Sequence, residues 1–267
     1  MGWALCLCIG MCSGFVAGLF GIGGGTITVP ALMLGSRLLG IGADDAVPVA
    51  MATSLAIVIP TSISSARAHA VRGSIDWHVF RQFAPAIAIG ALAGTLAAST
   101  LGGRWPLAVF IGFALLAARR LLSQAPVAVR VDRVGARPGP AMLRRNGLAI
   151  GLVSSLAGVG GGLLSVPLLA HYLPLTRAIG TAALLGLPLG IAGLSGYLLV
   201  GHPAQCASGC VGYVFVPAVP AVSLAAIATA PLGASLAHRL PVAALKRAFA
   251  LLLLLVSADL WFQIVPS

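Results

Sequence analysis

The chain contains no glutamate, one lysine (Lys246) and five aspartates, and only 8% of its 267 residues are charged. A water-soluble domain carries roughly 25%. Hydrophobic residues make up 59%, and mean hydropathy is +1.06, so a soluble fold is excluded. The shortage of carboxylates excludes more. The acids are Asp44, Asp45, Asp76, Asp132 and Asp259, and only Asp259 falls within an expected span, near its outer end. A relay of buried carboxylates, the usual proton or sodium path of a pump, has nothing to be built from. No Ser/His/Asp set, His-Glu zinc motif or acidic pair falls inside the apolar segments, so no catalytic residue is expected and the chain does not read as an enzyme. Histidine and cysteine show no metal-ligand spacing, and neither a metal nor a cofactor is expected.

What the chain has is glycine, 34 residues of it. The segment Gly14-Phe-Val-Ala-Gly-Leu-Phe-Gly-Ile-Gly-Gly-Gly-Thr-Ile-Thr-Val-Pro30 returns 137 residues later as Gly151-Leu-Val-Ser-Ser-Leu-Ala-Gly-Val-Gly-Gly-Gly-Leu-Leu-Ser-Val-Pro167. Duplication at half the chain length marks a tandem repeat. In membrane proteins, broken helices at corresponding positions of two halves point to a transport site. Neither copy is a dinucleotide fingerprint, because the sixth position holds Thr26 or Leu163 instead of glycine. Nor is either a phosphate-binding loop, which needs a lysine beside its glycines.

Apolar runs divide each half into five segments, at roughly 3–20, 26–39, 46–65, 79–101 and 105–122, then 147–158, 163–175, 179–200, 212–237 and 243–265. Those at 26–39, 147–158 and 163–175 are short for a crossing of ~20 residues and read as half-helices or a re-entrant pair. The start, Met1-Gly-Trp-Ala-Leu-Cys6, has no basic region ahead of its apolar run, so the first segment is expected to be retained.

With the N-terminus outside, 14 of the 16 basic residues fall in inner loops, leaving only Arg37 and Arg104 outside. The net charge of +11 is therefore topology and not a nucleic-acid surface, for which the short loops offer no aromatic-basic groove. The expected fold is an all-α polytopic membrane protein of two inverted-topology repeats, each of about five segments with glycine-broken helices. Residues 1–122 form the first repeat, 123–146 a basic cytoplasmic linker that reaches anionic lipid headgroups, and 147–267 the second repeat. Both termini are expected in the periplasm. Cys6, Cys8 and Cys12 read as small hydrophobes. Cys206 and Cys210, in an outer loop, leave a disulfide open.

Consecutive glycines before a helical segment gather backbone N–H groups into a nest. At a helix N-terminus such a nest holds an anion without a charged side chain. The candidate substrate-binding residues are Gly21, Gly23, Gly24, Gly25 and Pro30 with Gly158, Gly160, Gly161, Gly162 and Pro167. Thr26, Thr28 and Ser165 add hydroxyls. Ala52-Thr53-Ser54 is matched by Gly180-Thr181-Ala182, so Thr53, Ser54 and Thr181 join the set; the plainer reading is a hydroxyl bonded to its own helix. Glycines also pack helices together, and Gly10, Gly14 and Gly18, like Gly90 and Gly94, read as small-xxx-small contacts. His171 reads either as a proton carrier or as an interfacial histidine, and coupling to a proton gradient stays open.

These motifs resemble the sulfite exporter TauE/SafE family, also called the 4-toluene sulfonate uptake permease family. The resemblance rests on both copies of the glycine pattern, on His69-Ala-Val-Arg-Gly-Ser-Ile-Asp-Trp77, on Gly90-Ala-Leu-Ala-Gly94 and on Pro231-Leu-Gly-Ala-Ser235, and it covers essentially the whole chain. It implies a transporter of sulfur-containing anions such as sulfite or organosulfonates in a bacterial inner membrane, an exporter if the inner arginines attract the anion. An uptake permease or passive channel of the same architecture is the alternative. The chain departs from the pattern at Ser155, where the first copy has Gly18, and in lacking a second loop like 69–77.

Overall fold

The computed structural model describes residues 2–20, 24–42, 45–101, 104–122, 138–200 and 209–236, with residues 247, 250, 251, 253–255, 257, 258 and 261 near the C-terminus. The order is α1 (Gly2–Phe20), α2 (Gly25–Gly35) running into a 3-10 turn (Ser36–Leu39), α3 (Ala46–Val71), α4 (Trp77–Leu101), α5 (Arg104–Leu122), α6 (Pro140–Leu156), α7 (Gly162–Leu169), α8 (Leu175–Val200), a hairpin of β1 (Cys210–Val211) and β2 (Val214–Phe215), and α9 (Ala218–Leu236). Helices dominate because a helix satisfies its backbone polar groups internally, as a hydrocarbon slab demands. Among the described residues, three helices are long and apolar enough to cross a membrane, in α3, α4 and α8.

α2 and α7 are not crossings. At eleven and eight residues they rise roughly 16 and 12 Å, about half of a ~30 Å core or less. Each turns back. Gly24 lies against Ser13, Gly35 against Leu5, and Gly2 against Leu39, so α2 runs antiparallel to α1 toward the end where α1 begins. α7 starts at the level of Leu189 on α8 and returns to the end where α8 begins, five residues later. Gly24–Gly25 and Gly158–Gly162, the two glycine tips, thus lie where a short helix starts back along the bundle.

α3 and α8 form the centre, antiparallel, from Gly180 against His69 at one end to Tyr197 against Met51 at the other. Residues 49–58 of α3 are buried without a break, since α2, α8, α9 and β2 surround them. The outer helices approach through glycine. Gly10 and Gly14 of α1 lie on Val222 and Ala226 of α9, and Gly147 and Gly151 of α6 lie on Phe83, Ala86 and Ile87 of α4. The two pairs are 137 residues apart, like the glycine motifs. Gly90 and Gly94 of α4 receive the backbones of Leu148 and Leu152. Large apolar side chains such as Trp3, Leu38, Ile89, Trp105, Leu199 and Leu224 point outward, which suits contact with lipid.

The structure moves several expected boundaries. α6 begins at Pro140, behind Gly139 as N-cap, so Arg144, Arg145 and Asn146 lie in the helix and not in a linker; proline at N1 suits a helix start. The segment expected at 163–175 stops at Leu169, and α8 begins at Leu175. The segment expected from 212 begins with the hairpin, because Gly209 (φ 123°) and Gly212 (φ 55°) hold conformations that a helix cannot use. The glycines Gly21 and Gly23, most of the linker, Cys206 and Asp259 lie outside the described residues. Cys210 is disulfide-bonded.

A β-carbon added at Gly151 would collide with the carbonyl of Ile87, whereas one at Gly112 meets nothing within 4 Å. Gly151→Ala is expected to destabilise the protein by about 1–3 kcal/mol. Gly112→Ala is expected to be neutral or stabilising by up to ~1 kcal/mol. Thermal unfolding in detergent checks both.

Candidate functional site

α6 ends at a left-handed glycine. Gly158 (φ 64°) donates its N–H to the Ser155 carbonyl, and Val159 donates to the Ser154 carbonyl at 2.9 Å. This is how helices commonly close, with glycine in the position that a β-carbon would strain. The chain then runs through Gly160 to Gly161, the N-cap of α7. Leu164 and Ser165 donate to the Gly161 carbonyl at 3.2 and 2.9 Å. The other half repeats the pattern, with Ile27 and Thr28 donating to the Gly24 carbonyl at 3.1 Å each. Neither Gly24 nor Gly161 supplies a side-chain cap. The dipole gives each of these helix starts about half a positive charge.

The two tips touch. A β-carbon on Gly25 would lie 3.1 Å from the Gly160 nitrogen, 3.1 Å from Val159 Cα and 3.2 Å from Ser54 Oγ. A β-carbon there would be tight, because backbone of one half rests on backbone of the other. Met51 packs against Gly158, Val58 against Gly160, and Leu189 against Gly161. The wall is apolar and its floor is main chain.

Into this contact come hydroxyls with nothing to bond. Ser54 and Ser165 are fully buried, and neither Oγ has a hydrogen-bond partner among the described residues; Ser154 is in the same state. Ser54 Oγ is beside Gly25, and Ser165 Oγ lies 3.6 Å from where a Gly161 β-carbon would sit. Leaving a buried hydroxyl unpaired costs ~1–3 kcal/mol, and of the four such serines among the described residues, Ser223 of α9 being the fourth, Ser54 and Ser165 lie beside the glycine tips. Thr28 differs, since its hydroxyl donates to the Gly24 carbonyl at 2.9 Å and sits 3.2 Å from Ser13 Oγ.

Thr53 and Thr181 are engaged elsewhere. Thr53 Oγ1 accepts the N–H of Phe215, and Thr181 Oγ1 accepts the N–H of Asp76, each at 2.9 Å. Thr26 and Pro30 are buried, while Gly162 and Pro167 are half-buried. His171 is exposed beyond α7, its Nδ1 2.7 Å from the Pro167 carbonyl. Among the described buried residues, Asp45 is the one with an ionisable carboxylate, and none is an arginine or lysine. Attraction at the tips therefore comes from dipoles and hydroxyls.

Sequence reading missed Ser13, which packs on Gly24, and Ser154, whose counterpart in the first copy is Ala17. Neither is duplicated, and duplication was the signal. A detectable signal was passed over at Pro60 and Pro188, which share with Thr53 and Thr181 an offset of 128.

The family model described as sulfite exporter TauE/SafE matches residues 6–260. A protein of Haemophilus influenzae named probable membrane transporter protein is 33% identical over 263 residues, spanning 97% of this chain and 98% of that one. Proteins named probable membrane transporter proteins from Bacillus subtilis and Methanocaldococcus jannaschii are 27% and 28% identical, covering 76% and 86% of this chain and 80% and 84% of their own lengths. No solved structure matches.

The geometry separates two neighbouring glycines. Gly158→Ala puts a β-carbon 2.7 Å from Met51 Cα at positive φ, whereas Gly160→Ala meets nothing closer than 3.7 Å. The first is expected to lower stability by at least ~1–2 kcal/mol. The second is expected to change it by less than about 0.5 kcal/mol, both read from thermal unfolding.

Proposed function

The chain belongs to the sulfite exporter TauE/SafE family, and on that premise we propose that it is a secondary carrier of small sulfur-containing anions across a bacterial inner membrane. Two inverted repeats alternate access around one site at the glycine tips, in the direction of export. The contact of Gly25 with Val159–Gly160, flanked by the orphan hydroxyls of Ser54 and Ser165, carries this reading.

The packing supports inversion. Each half sends its first helix against the fourth helix of the other half, α1 on α9 and α6 on α4, and α3 crosses α8 antiparallel. The end holding the α3–α4 turn and the starts of α6 and α8 carries Arg67, Arg72, Arg81, Arg144, Arg145 and Arg177. By the positive-inside rule that end is cytoplasmic and the N-terminus periplasmic. The same arginines gather anions on the inner side, which favours export.

The residues also bear on the charge of the cargo. Amide N–H groups and hydroxyls are donors, suited to sulfur oxygens. They are neutral, and the buried surroundings offer no counter-cation. The cost of desolvating an ion grows with the square of its charge, so a monoanion such as hydrogen sulfite or a sulfonate fits better than a dianion. The apolar side chains of Met51, Val58 and Leu189 suit the non-oxygen part of such a molecule.

Removing a hydrogen bond to a charged group costs ~1.5–3 kcal/mol, roughly 10- to 100-fold in affinity. Ser54→Ala and Ser165→Ala are expected to raise the KM for sulfite flux into proteoliposomes by about tenfold or more. Stability without substrate should hold or rise slightly, because each change removes an unpaired hydroxyl. An unchanged KM in both variants would remove the tips from the site.

A further inference from the structure

Of the hydrogen bonds between the halves, which include Thr229 on the Met11 carbonyl and Tyr197 on Met51, two correspond. Asp76, in the turn between α3 and α4, donates its N–H to Thr181 of α8. Phe215, in the hairpin between α8 and α9, donates its N–H to Thr53 of α3. Each joins a connection of one half to the third helix of the other. Both threonines are fully buried.

The turn is built to be held there. Gly73 (φ 63°) closes α3 by donating to Ala70, Ser74 donates to the His69 carbonyl, and Asp76 Oδ1 caps α4 by accepting the N–H of Val79. Ile75 is buried, and the Ser74 carbonyl lies on Gly180, where no β-carbon fits. The hairpin is closed by the Val216 N–H on the Gly209 carbonyl. Val214 and Phe215 are buried, Tyr213 stands edge-on to Tyr197, and Gly212 rests on Leu198.

Their placement gives them a role. Thr181 sits at the level of His69 and Thr53 lies sixteen residues away on α3, a separation of roughly 24 Å. The Gly25–Gly160 contact lies between these levels, beside Ser54 and Val58. Rocking of one half against the other about that contact would load the two bonds unequally.

We propose that the α3–α4 turn and the β1–β2 hairpin are the two gates of the pathway, and that Thr181 and Thr53 are positioning residues that latch them. The structure is then the occluded state, closed at both ends. The latches are unequal. Thr53 is followed by Ser54, so an anion at Ser54 acts directly on the hairpin gate, while Thr181 is followed by Ala182.

This inference rests on the carrier reading, but its test needs no substrate. Cys6, Cys8 and Cys12 are replaced by Ala, and Ser54→Cys serves as reporter. Its modification by a membrane-impermeant thiol reagent is timed in right-side-out and inverted vesicles. A typical hydrogen bond sets an equilibrium by about two- to tenfold. Thr181→Val should raise labelling by that factor from the turn side only, and Thr53→Val from the hairpin side only. Thr181→Ser and Thr53→Ser, which keep the hydroxyl, should label like the parent. If Thr181→Val fails to insert, Gly180→Ala, which pushes the Ser74 carbonyl away, should open the same side. Unchanged labelling, or an equal rise from both sides, would overturn the gates. Sided labelling, together with no anion flux through the protein that keeps Ser54, would keep the gates and overturn the carrier.

Discussion

In a hydrocarbon slab every backbone N–H needs a partner, and a helix start beneath the surface cannot borrow one from water. The starts at Gly24–Gly25 and Gly161–Gly162 are such places, and the protein gives neither a side-chain cap. Much of the structure follows from arranging these two starts. Short helices α2 and α7 set them inside the bundle, at the level of Ser54 on α3 and Leu189 on α8. Glycine at position 25 lets them meet backbone to backbone. The fully buried stretch of α3 screens them, and Ser54 and Ser165 add donors that the protein leaves unpaired. Under the proposed carrier reading an anion is what such a place attracts, because each helix start carries the positive end of its dipole.

Glycine serves two distinct purposes along the chain. In α1, α4 and α6 it lets helices cross at backbone contact, since apolar side chains gain nothing from leaving lipid for one another. In the motifs it sets chain direction, at Gly158, and removes bulk between the halves, at Gly25. The threonines of the third helices add the polar links between halves that apolar packing cannot supply.

Much of this was legible in the sequence because duplication and hydropathy report on the fold directly. The repeat at an offset of 137 exposed both glycine motifs, and the four-residue spacing of glycines predicted the close packing of α1 and α4, which the structure bears out at Gly10, Gly14, Gly90 and Gly94. Charge placement predicted the end where the arginines gather. The roles of Thr53 and Thr181 were not legible, because a matched hydroxyl reads the same whether it faces a cargo or a loop N–H. Their partners, Phe215 and Asp76, are 162 and 105 residues away. The hairpin was hidden in an apolar run, where only Gly209, Gly212 and Pro217 argued against a helix. Ser13 precedes the duplicated segment, and Ser154 lies in it where the first copy has Ala17.

The most direct measurement is an anomalous-scattering map of crystals grown with selenite, which has the shape and charge states of sulfite and a heavier central atom. The structure predicts one strong selenium peak between the starts of α2 and α7, within hydrogen-bond reach of Ser54 and Ser165, lost in the double variant Ser54→Ala/Ser165→Ala. A selenium peak elsewhere in the bundle, in a protein that carries selenite across proteoliposomes, would contradict a site at the paired tips.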